Sequence, residues 1–188
     1  MPAHTARRKE RSAWIWVLSI IGGVGILALL ATIALIALPP VLANLSTHTA
    51  LVDETVTSDD GHVQAIAPAG WTVQSPWLDG GLLTLGSPDG MLRVDIRAAD
   101  ADPQAAFDIA TAAEDAAGTP LESPVTETID GGRVIVHAET ADQRIVVVAV
   151  GEPGTSPSAI VTAQVSPEAT DDYLPALAEL LPGIRAIG

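Results

Sequence analysis

The 188-residue sequence contains no cysteine, which excludes disulfide bonds, thiol nucleophiles, iron–sulfur clusters, cysteine-based zinc sites and a lipid-modified N-terminal cysteine. Lysine occurs once, in the N-terminal tail, so the phosphate-binding lysine of a P-loop is also missing. Aromatic residues make up 3% of the chain, which leaves little stacking surface for a sugar-binding cleft. The sequence contains no recognisable cofactor-binding motif, so no cofactor is predicted.

Charge is distributed unevenly along the chain. Residues 1–13 carry three arginines and Lys9 against Glu10, whereas the part from residue 44 onward carries five arginines and 22 acidic residues, a formal charge of −17. An acidic body of this kind repels phosphate, so we expect no nucleic-acid partner. Low lysine with abundant alanine, glycine, aspartate and proline is typical of a high-GC bacterium.

One long apolar run follows the basic tail. Residues 14–38 contain no charge, beginning at Trp14 and ending at Leu38, and Pro39 follows. A helix of this length extends roughly 37 Å, enough to cross a hydrocarbon core of about 30 Å. Because basic flanks stay in the cytoplasm, the pattern predicts a single-pass protein of the bacterial cell membrane. Its tail 1–13 is cytoplasmic, its lipid contact is residues 14–38, and its acidic part is extracellular.

Two alternatives concern this N-terminal part. Val41, Leu42 and Ala43 loosely fit a signal-peptidase site, so cleavage after Ala43 competes with an uncleaved anchor. The apolar run is longer than the 7–15 residues typical of signal peptides, which favours the anchor. Ser19 and Gly23 lie four residues apart, a small-residue spacing that lets membrane helices pack closely. Ordinary tolerance of glycine in membrane helices accounts for this spacing, and a homodimer through Ser19 and Gly23 is the alternative.

Residues 39–50 are interpreted as a stem, and residues 51–188 as one extracytoplasmic domain that is long enough for a single core. Strands are predicted over residues 63–67, 82–85, 91–97, 125–129, 134–138, 145–150 and 159–165, and helices over residues 103–117 and 171–181. Short turns join neighbouring strands, among them Ser87-Pro88-Asp89-Gly90, so the sheet is expected to be antiparallel. The run 145–150 is apolar without alternation, which predicts a central strand.

The two predicted helices carry recognisable end signals and apolar stripes. Asp102 is expected to cap the first helix and Gly118 to end it. Its apolar stripe is predicted to comprise Phe107, Ala110, Ala113 and Ala117. We expect both helices to cover one face of the antiparallel sheet, which gives an α+β domain.

Three short motifs accompany this order of elements: Ala67-Pro68-Ala69-Gly70-Trp71, the hairpin turn at residues 87–90, and the closing Leu180-Leu181-Pro182-Gly183-Ile184-Arg185. Together they resemble the PsbP-like superfamily, including its actinobacterial LpqN-type envelope proteins, over residues 60–187. The resemblance implies a non-enzymatic extracytoplasmic module that binds or assembles with other proteins. LpqN-type members are usually lipoproteins, and a helical anchor would here replace the lipid.

The sequence offers no catalytic or metal-binding constellation, so no catalytic or metal residue is predicted. The histidines, at positions 4, 48, 62 and 137, lack metal-ligand spacing, and the two within the domain are interpreted as exposed strand residues. The acidic patch at residues 53–60 lacks the alternating ligands of a calcium loop, and we interpret it as a solvated face.

These observations predict a membrane-anchored, non-enzymatic binding or assembly module that contacts another envelope protein. The alternative is an envelope hydrolase, which requires an Asp/Glu pair that converges in a pocket. A sensor is a third option, although a 13-residue tail would need a partner to signal. Trp71 is expected in the core. Trp77, in the loop between Pro76 and Leu78, is the candidate partner contact.

Overall fold

The structure, a computed structural model, describes Thr32 and residues 47–76, 79–169 and 173–188. The predicted span 14–38 with its dimer face, the cleavage position after Ala43, and Trp77 lie outside the described residues, apart from Thr32, which is helical. Among the described residues, no helix combines the length and the apolar character needed to cross a membrane. The chain divides into two units, Met1–Leu45 and Ser46–Gly188, and the second is described below.

The described part of this unit contains eleven strands, two α-helices and two short 3₁₀ turns. The strands are β1 Thr47–Thr49, β2 Glu54–Thr57, β3 Val63–Ala67, β4 Thr72–Gln74, β5 Leu82–Gly86, β6 Leu92–Ala99, β7 Val125–Thr128, β8 Val134–Glu139, β9 Ile145–Gly151, β10 Ser158–Val165 and β11 Arg185–Ala186. The helices are α1 Pro103–Ala116 and α2 Leu174–Leu180, and the 3₁₀ turns are Asp130–Gly132 and Leu181–Gly183. All described strand pairs are antiparallel, so the predicted α+β class with an antiparallel sheet and two helices is confirmed.

Eight strands form the large sheet, in the order β1-β4-β5-β6-β10-β9-β8-β7. The predicted hairpin of β5 and β6 is confirmed, and the predicted strands β7, β8, β9 and β10 pair in sequence order, as their short turns predict. In β6 the residues Leu92, Val94 and Ile96 are buried, and the charged residues between them face outward, as alternation predicts. The central position of β9 is also confirmed, because residues on both of its faces are buried.

The stem segment contributes to this sheet, which the sequence interpretation did not anticipate. Residues 47–49 form β1 and pair with β4, with His48 opposite Val73. The backbone N–H of Ala50 then donates to the carbonyl of Trp71, and the N–H of Gly70 donates to the carbonyl of Ala50. Side-chain patterning gave no sign of this strand because all three of its residues are exposed.

A second sheet of three strands, in the order β11-β3-β2, packs on the large sheet. Its inward residues include Val56, Val63, Ala65 and Ala67, which join the core formed by β5, β6 and β10. Only β3 of this sheet was predicted. The strand β2 is four residues long and β11 is two, and each places few apolar residues on its inner face, so neither produces a clear period in the sequence.

The helix α1 covers the opposite face of the large sheet, over β8, β9 and β10. The carboxylate of Asp102 accepts hydrogen bonds from the backbone N–H groups of Gln104 and Ala105, which confirms the predicted N-cap. Phe107 is buried and Ala110 is half-buried, but Ala113 and Ala117 are exposed, so the predicted stripe is wrong in its second half. The buried residues Pro103 and Ala106 show that only the first turns of α1 contact the sheet.

The helix α2 packs on the same face as the three-stranded sheet, so the expectation that both helices share one face is wrong. Its residue Leu177 belongs to the core that contains Val146 and Val148, whereas Phe107 of α1 packs with Val147 and Ala149. Alternate residues of a strand point to opposite faces, so the helices lie on opposite sides of β9. A strand with no polar face requires a cover on both sides, which is the physical reason for this arrangement.

Candidate functional site

The main candidate site is an apolar groove between α2 and the strands β7, β8 and β9, with a cavity volume of about 430 Å³. Its floor and wall on the sheet side are apolar: Val125, Ile129, Ile135, Val146 and Val148. The wall on the helix side consists of Leu174, Leu177, Ala178 and Leu181. Val125 is 48% exposed, which is unusual for an apolar residue flanked by this much apolar surface. The groove is therefore an apolar surface that remains open to solvent.

The rim of the groove carries acidic residues on its sheet side. Glu122, Glu127, Glu139 and His137 all line it. Glu122 and Glu139 are adjacent, because the backbone N–H of Glu122 donates to the carbonyl of Glu139. The imidazole Nε2 of His137 lies 3.9 Å from a carboxylate oxygen of Glu127, which is beyond hydrogen-bond distance. Among the described residues that line the groove there is no arginine, so its rim carries negative charge beside an apolar floor.

The strand β7 forms one border of the groove and also ends the large sheet. All four of its residues are exposed. Val125 pairs with His137 and Glu127 pairs with Ile135, so these side chains share the groove face of the sheet. The outer side of β7 carries no partner strand within the described part of the chain. This combination of a free strand edge with an apolar groove is the most distinctive feature of the domain.

Backbone geometry shows which groups of β7 face the free edge. The N–H of Ile129 donates to the carbonyl of Arg133, so the backbone groups of Ile129 face β8. Successive residues of an antiparallel strand direct these groups alternately to the two sides. Glu127 and Val125 therefore hydrogen-bond toward β8, whereas Thr126 and Thr128 present their N–H and C=O groups outward.

Polar contacts hold α2 at both ends of the groove. Just before α2, the phenol O–H of Tyr173 donates to the carboxylate of Asp89 in the β5–β6 loop. At the other end, the guanidinium of Arg133 donates to the carbonyls of Ile184 at 2.7 Å and Pro182 at 2.6 Å. Burial, with a smaller contribution from the charge of Arg185, lowers the pKa of Arg133. The helix that forms one wall of the groove is thus fixed to the large sheet by side chains from two different loops.

Three aspartates, one of them in the acidic patch at residues 53–60, serve hairpin loops rather than a ligand site. Three loops, at residues 58–63, 87–92 and 140–145, share one hydrogen-bond pattern. In each, the first residue is serine or threonine, and its hydroxyl donates to the aspartate two positions later, at 2.5 to 2.6 Å. The same hydroxyl accepts from the backbone N–H five positions later. The carboxylates of Asp60, Asp89 and Asp142 are therefore engaged in hydrogen bonds that stabilise their own turns.

The hydrogen bonds in these loops favour the charged carboxylates and lower their pKa values. The hydroxyl of Ser87, followed by that of Tyr173, lowers the pKa of Asp89 from its ordinary 3.8 to about 2. The hydroxyl of Ser58 lowers the pKa of Asp60, and that of Thr140 lowers the pKa of Asp142. Low pKa values here reflect local loop structure and do not identify a catalytic group.

The remaining predicted residues fall in separate places. Trp71 is 8% exposed and lies in the core, as predicted. His62 is exposed as predicted but lies in the turn before β3 rather than on a strand. His137 is on a strand, β8, as predicted, but it is half-buried and lines the groove. Asp53 accepts a hydrogen bond from the N–H of Ala69, so it too supports a turn. Among the described residues, no group of three or more histidines or acids is arranged to hold a metal ion.

No protein-family model matches the sequence, and no curated protein matches it. The resemblance to the PsbP-like superfamily therefore stays a prediction. The groove was not anticipated, although its edge strand carries a signal in the sequence. Val125, Glu127 and Ile129 alternate with two threonines, which places apolar and acidic residues on the same face of one strand.

Proposed function

We propose that this protein is a non-enzymatic binding module, anchored in the bacterial membrane by residues 14–38, which holds a segment of another envelope protein in the groove beside α2. The single observation that carries the proposal is the open apolar groove, which is lined by Val125, 48% exposed, and by Leu174 and Leu177. An exposed apolar surface of this kind costs free energy in water, and covering it with a partner recovers that cost.

The membrane anchor is supported by the sequence. The apolar run is long enough to span a bilayer, and the basic tail that precedes it favours an extracellular position for residues 46–188. An acidic domain is repelled by anionic lipid headgroups, so the module would project from the membrane with its groove accessible to other proteins.

The alternative, an envelope hydrolase, requires two carboxyl groups with different environments. Three acidic residues, Glu122, Glu127 and Glu139, line the groove, but Glu127 lies opposite Ile135, four residues along β8 from Glu139. A general acid is kept protonated by a buried, apolar environment, but the side chain of Glu127 is 63% exposed. The exposed rim therefore favours recognition of a charged partner over acid catalysis.

Photo-crosslinking in intact cells tests the proposal. A photoreactive amino acid replaces Ala178, which lines the groove and is exposed, and in a matched variant it replaces Ala112, which is exposed on α1 on the opposite side of the sheet. We expect a discrete crosslinked envelope protein from position 178 and none from position 112. Equal products from both positions, or none from position 178, would contradict the proposed groove function.

Protease treatment of whole cells tests the location separately. With an extracellular domain, the C-terminal part is digested in intact cells, and a cytoplasmic control protein survives. If the domain is digested only after lysis, the proposed topology is wrong whatever the groove binds.

A further inference from the structure

We propose that the groove and the free edge of β7 form one site, which binds an extended basic peptide segment as a ninth strand of the large sheet. This inference rests on the proposed function and specifies the chemistry of the partner. Three observations carry it: the outward backbone groups of β7, the pattern of side chains on its groove face, and the charge of the rim.

The first observation concerns hydrogen bonding. Thr126 and Thr128 direct their backbone N–H and C=O groups away from β8, at the last strand of the sheet order. An exposed edge of this kind accepts an extended peptide through main-chain hydrogen bonds. Natural edge strands are protected against such pairing by lysine, proline or a bulge. Pro124 lies directly before β7 and limits the free edge on that side, whereas residues 125–128, Val-Thr-Glu-Thr, contain neither lysine nor proline.

The second observation concerns the side chains beside that edge. On the groove face, the apolar Val125 is followed two residues later by the acidic Glu127. A strand added to β7 places its own alternate side chains next to these two, at the spacing of neighbouring strands. An apolar side chain beside Val125 would enter the groove toward Ile135 and Leu177.

The third observation is charge. Glu122, Glu127 and Glu139 lie on the rim without an arginine among the groove residues. The domain as a whole has a formal charge of −17 from residue 44 onward, so it attracts basic segments over distances comparable to the Debye length. Lysine or arginine on either side of an apolar residue, two positions apart, is the pattern that complements this rim. An acyl chain would also fit an apolar groove, but it would use neither the acidic rim nor the backbone groups of Thr126 and Thr128.

The test uses the full-length protein and a fluorescein-labelled, end-capped heptapeptide of sequence TKTVTKT, with binding measured by fluorescence anisotropy. On one face this peptide presents lysine, valine and lysine in the order that the groove requires. We expect saturable binding that weakens with salt, because screening removes the contribution of the rim. The charge-reversed peptide TETVTET is expected not to bind.

Two matched proline variants test strand addition. Thr126→Pro removes an outward N–H from β7 and leaves the β7–β8 ladder complete, and proline is tolerated in edge strands at such positions. Thr55→Pro is the control, because Thr55 is an exposed threonine on β2, the edge of the three-stranded sheet. The backbone N–H of Ser58 donates to the carbonyl of Val63, so the backbone groups of Ser58 face β3. Because these groups alternate along the strand, those of Thr55 face away from β3. We expect Thr126→Pro to weaken binding by about tenfold or more and Thr55→Pro to leave it unchanged.

A change on the ligand side keeps the test independent of how the variants fold. Methylating the peptide nitrogens that would bond to β7 is expected to abolish binding to the unaltered protein. Unchanged affinity of the methylated peptide, or of Thr126→Pro, would show that no strand is added.

The rim and the groove have their own variants. Replacing Glu122, Glu127 and Glu139 with glutamine is expected to weaken binding. The same change at Glu114, Glu152 and Glu168, which lie outside the groove lining, alters net charge equally and is expected to have little effect. Ala178→Trp fills the groove and is expected to prevent binding. Saturation by a fluorescent fatty acid, blocked by Ala178→Trp, with no peptide binding, would overturn the peptide assignment.

The outcomes also separate this inference from the proposed function. If the cellular crosslink from position 178 persists unchanged in Thr126→Pro, the groove binds a partner without strand addition. In that case the proposed function stands and this inference fails. If no crosslink forms from position 178 in any variant, the proposed function itself fails.

Discussion

The same face of the large sheet is covered in two different ways along its width. Over β5, β6 and β10 it is covered by the three-stranded sheet, and Leu83, Val94, Ile96 and Val161 are each 0% exposed; we call this the sealed half. Over β7, β8 and β9 it is covered by α2, where Val125 is 48% exposed and Ile129 and Leu174 are half-buried; we call this the open half.

The difference follows from the size of the two covers. Three paired strands present a continuous apolar surface that matches a sheet face at a spacing of about 10 Å. A seven-residue helix is about 10 Å long, so α2 covers little more than two strand widths. A broad cover therefore produces a core, and a narrow cover leaves a groove. The short helix α2 accounts for the exposure of apolar residues over β8 and β9, and β7 adds an exposed strand with a single apolar residue, Val125.

The largest expected effect compares one isoleucine in each half. Ile96→Ala in the sealed half leaves a cavity that rigid neighbours cannot fill, and we expect a loss of about 2–5 kcal/mol in the free energy of unfolding. Ile135→Ala in the open half borders the groove, where water already has access, and we expect a loss below about 2 kcal/mol. Urea unfolding followed by circular dichroism measures both. Equal losses would show that the groove is closed in solution.

The longer strands of both halves were predicted from the sequence, and the shorter strands were mostly missed. Every strand of five or more residues in the structure was predicted, because a run of that length shows either alternation or a continuous apolar stretch. The hairpin of β5 and β6 was predicted from its loop, Ser87-Pro88-Asp89-Gly90. The sequence Ser58-Asp59-Asp60-Gly61 has the same spacing and forms the same loop, so it was a readable signal for the hairpin of β2 and β3.

The groove was less accessible to sequence reasoning. Its residues come from β7, β8, β9 and α2, and the hydrogen bond from Arg133 to the carbonyl of Ile184 joins positions 51 residues apart. Local periodicity contains no information on such pairings. The leucines of α2 also do not specify the face of the large sheet on which the helix packs. The strand β9 is apolar on both faces, so the same leucines could pack on either one.

The next prediction concerns how α2 is held in the open half. Arg133→Met keeps an apolar stem and removes the two hydrogen bonds to the carbonyls of Pro182 and Ile184. Those carbonyls lose their partner, and we expect a loss of about 1–3 kcal/mol in the free energy of unfolding, with weaker binding of the basic peptide. Arg185→Met makes the same charge change at an exposed neighbour, and its expected effect is within about 0.5 kcal/mol. Equal effects of the two variants would show that charge, rather than the tie to α2, matters at this position.

The smallest expected effect compares two aspartates that occupy equivalent positions in their loops. Asp89 joins the β5–β6 loop to Tyr173 before α2, whereas Asp60 serves the β2–β3 loop of the three-stranded sheet. The pKa of Asp89 is lowered to about 2, and that of Asp60 is also lowered. A carboxylate with a lowered pKa stabilises the folded state above its ordinary pKa of 3.8, and this stabilisation is lost as the pH falls toward the lower value.

We therefore expect Asp89→Asn to be less stable than the unaltered protein at pH 7, with the difference fading between about pH 4 and pH 2 in urea unfolding curves. Asp60→Asn should show a fading difference of the same sign. At pH 7, hydrogen exchange separates the two, because only Asp89 contacts the residue before α2. Amides of α2 should exchange faster in Asp89→Asn and at an unchanged rate in Asp60→Asn. Faster exchange of α2 in both variants would mean that the sealed half and the open half unfold together. The helix α2 would then not unfold independently of the rest of the domain.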